Sequence, residues 1–264
     1  MFQGRPKTQG DVSGAPDAIE WWERSIGRDD LVEQCARLTQ QLRSALALAN
    51  RSEKPIFLRV LGQDLDTELE KLAARVAFPV DESSSELGQR RELLEDLIDY
   101  YCDAVMPWTQ APRPVELSDC AREAVAALSA DMVLLLRVGG EPVVNAGRRR
   151  LIALFELAIR AATADAEDEV EVVLPPCSAE HAELRVQWTR AAMSPRDSHD
   201  KGRFLALAVA YVIKLGGTLQ RTTGSHEALV LRIPLSQRAE DGLSLPPILD
   251  FDVVAQATAF CLEG

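Results

Sequence analysis

The sequence predicts an α+β chain: a coiled coil and helical hairpin forming a dimeric four-helix bundle, followed by an α/β sandwich. Three observations carry that prediction. Apolar residues recur at helical spacing from Leu31 to Val105, a Pro-rich stretch at 107–114 interrupts the pattern, and beyond it helical stretches alternate with short strand-like runs.

Taken in order, residues 1–28 read as a flexible tail. Residues 1–15 are rich in Gly, Pro, Gln and Ser, and Pro16 then opens a short amphipathic segment with Ile19, Trp22 and Ile26 on one face. Trp21 and Trp22 read as packing residues. Residues 29–110 carry the helical part. Leu31, Cys35, Leu38, Leu42, Ala45 and Ala49 alternate four and three apart, the seam of a coiled coil about three heptads long through which the chain is expected to self-associate. Pro55 loosens the helix, after which Leu58, Leu61, Leu65, Leu69, Leu72 and Val76 keep helical spacing up to Phe78 and Pro79. A second hairpin helix runs from about Glu86, with Leu87, Leu94, Leu97, Tyr101 and Val105 on one side. Two antiparallel helices fed by a coiled coil make half of a four-helix dimer.

Residues 113–235 change character. Helices are predicted over 119–130, 148–163 and 203–215, and strands over 132–138, 169–174, 183–189, 218–222 and 228–235. Residues 236–264 form an apolar C-terminal extension, with Leu243, Leu245, Ile248, Leu249, Phe251, Val253, Val254 and Phe260.

Composition excludes several classes. With 47% hydrophobic and 27% charged residues in 264, the chain has an ordinary globular balance, and no apolar run approaches the roughly 18 residues of a membrane helix. No basic-then-apolar leader is present, so a cytoplasmic protein is expected. A net charge of −12 opposes binding to a phosphate backbone. The five cysteines include no C-x-x-C pair and so suggest neither zinc nor a disulfide framework. His181, His199 and His226 are the only histidines, and all lie in the second half.

The stretch Phe57-Leu58-Arg59-Val60-Leu61-Gly62-Gln63-Asp64-Leu65-Asp66-Thr67-Glu68-Leu69 resembles the phosphoacceptor box of bacterial sensor histidine kinases, with Gln63 on the histidine. An amide nitrogen is delocalised into its carbonyl and is a poor nucleophile, so autophosphorylation there is chemically excluded. Glu68 stands where the family places a helix-bending proline, which implies a straighter first hairpin helix.

The second half resembles the ATP-binding domain shared by histidine kinases, Hsp90, gyrase and MutL, with its three boxes in order. In Phe155-Glu156-Leu157-Ala158-Ile159-Arg160-Ala161, Arg160 replaces the magnesium-holding asparagine, and a one-residue shift in register puts Ala161 there instead. Neither supplies the oxygen a hard cation needs. A cation about 4 Å from magnesium would cost roughly 8 kcal/mol at an effective dielectric of about 20. In the stretch 184–193, Trp188 replaces the adenine-binding aspartate, and Arg190 and Ala192 replace two glycines. In the stretch 202–217, Gly202 and Gly216-Gly217 persist, but Phe204 stands where glycine lets the backbone close on phosphate.

The resemblance therefore implies a degenerate kinase with no cofactor: a cytoplasmic homodimeric scaffold that binds a response-regulator receiver domain or a partner histidine kinase, away from nucleic acid and membrane. An alternative keeps one activity. Asp64 and Thr67 hold the places that, in the family, orient water towards a receiver's aspartyl phosphate, and Gln63 could add a hydrogen bond, giving a response-regulator phosphatase. The extension 236–264 is expected to cover the vacated nucleotide face or a dimer surface, or to dock elsewhere on the same domain.

Overall fold

The computed structural model describes residues 18–51, 55–77, 84–109, 111–129, 133–164, 166–178, 180–190, 195–222 and 227–235. Three helices come first: α1 (Ala18–Arg51), α2 (Ile56–Ala77) and α3 (Ser84–Val105). The short amphipathic segment and the seam helix are thus parts of one long helix. α1 packs against both α2 and α3 of its own chain, and Cys35, Leu38, Leu42, Ala45 and Ala49 are all buried there. This corrects the reading of the seam as a coiled coil between chains. The hairpin of the same chain already covers that stripe, because an apolar face buries against whichever complementary face lies nearest, and α2, beginning at Ile56, packs along α1.

The bundle is tightly keyed at Gly62. A Cβ there would stand 2.4 Å from Leu46 Cδ2 on α1 and 2.6 Å from Tyr101 Oη on α3, so glycine permits the close approach of all three helices. α2 itself is one α-helix from Ile56 to Ala77, running through Glu68.

The connection to the second half is pinned in place. Trp108 donates its indole N–H to the Asp103 carbonyl, holds Arg150 and Lys214 over its ring at 4.4 and 4.9 Å, and meets Tyr211 edge-on. The Pro-rich stretch is therefore anchored to the second half by an aromatic residue rather than left as a bare hinge.

Next come β1 (Arg113–Glu116), α4 (Leu117–Leu128), β2 (Val133–Val138), β3 (Val143–Ala146), α5 (Arg148–Thr163), β4 (Ala166–Leu174), β5 (His181–Arg190), α6 (Pro195–Lys214), β6 (Thr218–Thr222) and β7 (Glu227–Pro234). The main sheet has the order β2-β4-β5-β7-β6, parallel only between β2 and β4, and β1 pairs antiparallel with β3. α4 packs on β2, α5 on β4 and β5, and α6 on β6, with α5 between the other two helices. Along β5, Ala182, Leu184, Val186 and Trp188 are buried while Arg185 and Thr189 are exposed, the two-residue period of a sheet with one covered face. The chain is α+β as expected, with an α/β sandwich behind a helical bundle.

β1 and β3 escaped the sequence reading. Each has four residues, and β1 contains Pro114, so neither run has the length or composition that signals a strand. The retained glycine pair does what its position suggested. Gly216 takes φ +67° and Gly217 N–H reaches the Val212 carbonyl, closing the end of α6, and a Cβ on Gly217 would stand 2.4 Å from the Arg232 carbonyl oxygen.

No helix among the described residues is long and apolar enough to cross a membrane. Residues 236–264 lie outside the described residues, as does the proposed cover they were expected to give the nucleotide face.

Candidate functional site

The residues singled out in the two halves meet one another. α6 packs on the hairpin helices α2 and α3, and this junction joins residues of the stretch 57–69 to residues beside Gly202. Arg203, with 1% of its side chain exposed, donates to both oxygens of Asp64, from Nε at 2.6 Å and from Nη2 at 3.1 Å. Its Nη1 donates to Asp200 at 2.8 Å, and Glu68 lies 3.7 Å away. Arg90 on α3 completes the cluster by bridging Glu68 at 2.7 Å and Asp200 at 3.0 Å.

Glu68 feels this surrounding. Burial works against its ionised form, but hydrogen bonds from Arg90 and Lys71 and the charges of Arg203 and Arg90 outweigh it, holding the carboxyl down at about 2.

A second set of contacts runs between α3 and α5. Tyr100 donates its hydroxyl to Glu156, and Arg160 pairs with Asp96 at 3.0 Å. Each partner is four residues from the next on its own helix, so the two bonds repeat once per turn. Burial pushes the Tyr100 hydroxyl well above its ordinary range, and Glu156 pushes it further, so it acts as a donor. Burial likewise raises the Asp96 carboxyl against the opposing charge of Arg160. The Arg160 guanidinium also lies 5.8 Å from the centre of the Phe204 ring.

The residue that the sequence reading set against an adenine-binding aspartate lies in the core. Trp188 is buried, with the Lys201 ammonium 5.9 Å from its ring centre and Lys201 itself buried. Arg190 ends β5, and Ala192 lies outside the described residues.

The third box departs furthest from expectation. α6 begins at Pro195, eight residues before the predicted start at 203, so Gly202 and Phe204 sit inside a helix rather than at its mouth. Proline suits a first helical turn, where its missing N–H is not needed. The amides of residues 202–204 are then spent on bonds within the helix, and no N–H at these residues is left to point at a phosphate.

On α2 the three candidate phosphatase residues are split. Asp64 faces α6 and is held by Arg203, while Gln63 and Thr67 are exposed and Thr67 Oγ donates to the Gln63 carbonyl at 3.0 Å. The sequence missed Arg203, Arg90, Asp200, Tyr100 and Asp96 as site residues. Among them only Arg203, charged and one residue after a box glycine, carried a local signal.

No protein-family model matches the chain, and no curated protein matches it. Solved structures do. The Acinetobacter baumannii histidine kinase AdeS is 18% identical with a TM-score of 0.47, over 68% of this chain and 98% of that one. Full-length ShkA in complex with AMPPNP is 15% identical with a TM-score of 0.46, over 81% of this chain and 47% of that one. A histidine kinase from Burkholderia phymatum is 14% identical with a TM-score of 0.40, over 77% and 99%.

Proposed function

We propose that this chain is a catalytically inactive, histidine-kinase-like regulator of two-component signalling that acts by binding a receiver domain or a partner kinase. The observation that carries the reading is that residues at the positions of a kinase's nucleotide site are engaged by the chain itself. Glu156 and Arg160 bond to α3, Arg203 beside Gly202 bonds to α2, and Trp188 with Lys201 fills the adenine position. Metal-bound ATP would have to displace the hydrogen bonds and ion pairs that already engage these side chains, and would find an arginine where magnesium needs oxygen.

Partner binding falls to the exposed side of α2. Arg59, Gln63, Thr67 and Lys71 are exposed four residues apart, a polar stripe along the helix that carries the acceptor-like box. The phosphatase alternative gains no support, because Asp64 is bound to Arg203 and Thr67 has committed its proton to a backbone carbonyl. Isothermal titration with ATP and magnesium is expected to give no binding, and a micromolar dissociation constant would end the proposal. The Gln63→His variant is expected to stay unlabelled by radioactive ATP. Decay of a phosphorylated receiver is expected to be equal with wild type and Thr67→Ala.

A further inference from the structure

A groove opens where the start of α2, the end of α3 and the end of α6 meet. It holds about 70 Å³ between Phe57, Leu58, Ala104, Ala210 and Ile213, with Lys214 on its wall. Close by in sequence stand two of the most exposed large apolar residues among those described: Ile56 at 63%, between the lining residues Pro55 and Phe57, and Met106 at 47%, two residues beyond Ala104. An apolar slot on a stretch of chain with exposed apolar residues is a surface suited to being covered.

The chain supplies a cover close by. Pro234, at the end of β7, places its Cγ 3.9 Å from where a Cβ on Gly216 would stand, and Gly216 is two residues beyond Lys214. The extension 236–264 thus leaves the fold beside the groove wall. About a dozen residues separate Leu235 from Ile248, enough at roughly 3.3 Å each to span some 40 Å. Residues 248–254 read Ile-Leu-Asp-Phe-Asp-Val-Val, in which Leu249, Phe251 and Val253 alternate with Asp250 and Asp252. Extended backbone would put the three apolar groups on one side and both carboxylates on the other. The groove offers an apolar floor, with exposed Arg59 as the nearby positive charge one turn along α2 from Ile56.

We infer that residues 248–254 dock in this groove of their own chain, seating Phe251 or Leu249 between α2, α3 and α6. This inference stands apart from the regulatory reading, since it needs only the groove and the exit point of the chain. Docking there ties the end of the chain to the junction of bundle and sandwich.

The test replaces exposed Ile56 of the full-length protein with photoreactive p-benzoylphenylalanine, followed by irradiation, separation by size and peptide mass spectrometry. The expected product is a monomer-sized species cross-linked to a peptide containing residues 248–254, its yield cut roughly tenfold by Phe251→Ser, as loss of one buried ring implies. Ala210→Phe, which fills the groove, should lower the yield in the same way, with circular dichroism confirming that the variant folds. Cross-links only to other segments, cross-links only in dimer-sized species, or a yield unchanged by Phe251→Ser would overturn the inference. Dimer-sized products would assign the groove to a second copy instead.

Discussion

The helical hairpin is buried from two sides by two different chemistries. Against α1 it presents an oil-like surface: Leu38, Leu42 and Ala49 on that helix are fully buried, as are Leu61 and Leu65 on α2. Against α5 and α6 it presents charge, with Asp64, Glu68, Arg90 and Asp96 each bonded across the junction. The difference separates two jobs. Apolar burial is non-directional and contributes most of the stability, whereas partly buried ion pairs contribute little net free energy but fix how the pieces are oriented and respond to salt and pH. The bundle is therefore built to stay folded, and the junction to hold one arrangement that can be undone.

The largest effect should come from the apolar side. Leu42→Ala, which empties a fully buried position, should lower the stability of the full chain by about 2–5 kcal/mol in urea denaturation. A loss under about 1 kcal/mol would mean that α1 is not part of the bundle. Arg203→Met should cost less, roughly 1.5–3 kcal/mol, because Asp64 and Glu68 are near enough to the surface to recover water once the guanidinium is gone. Hydrogen exchange should show that loss at the junction and leave α1 protected; equal loss in both places would erase the contrast between the two surfaces.

Acid should act on the junction. Glu68 titrates at about 2 in the folded chain against 4.5 for the free side chain, so its contribution is complete above pH 4.5 and disappears as pH falls towards 2. Exchange at the start of α6 should rise over that window, and Glu68→Gln should flatten the dependence. The smallest effect is that of salt: raising sodium chloride to about 1 M should weaken the junction by no more than several tenths of a kcal/mol and touch the bundle only at the exposed Arg37–Glu95 pair.

How much of this could be read beforehand depended on which residues carry local signals. The helices showed because Leu58, Leu61, Leu65 and Leu69 keep a period that survives any surroundings. The end of α6 showed because only glycine meets both demands at Gly216 and Gly217. The partner of the α1 seam did not show, since Cys35, Leu38 and Leu42 would suit a neighbouring chain as well as the hairpin of their own. Asp64 stood out only as a phosphatase candidate and Glu68 only as standing in a proline's place, and their pairing with Arg203 across 139 and 135 positions of sequence is invisible to any local pattern. The start of α6 was placed late because the resemblance to a phosphate loop outweighed Pro195, a residue whose preference for a first helical turn pointed the right way.

The early start of α6 also bears on what single substitutions can do. Phe204→Gly would set a glycine in a helix interior, cost about 1 kcal/mol in helix propensity, and still leave its amide bonded to the preceding turn. Opening a loop at residues 202–204 would require melting the turns from Pro195 to Phe204 and releasing Arg203 from Asp64 in the same step. The junction thus works as a latch, in which helix and ion pairs hold the same residues and no single change frees the backbone between them.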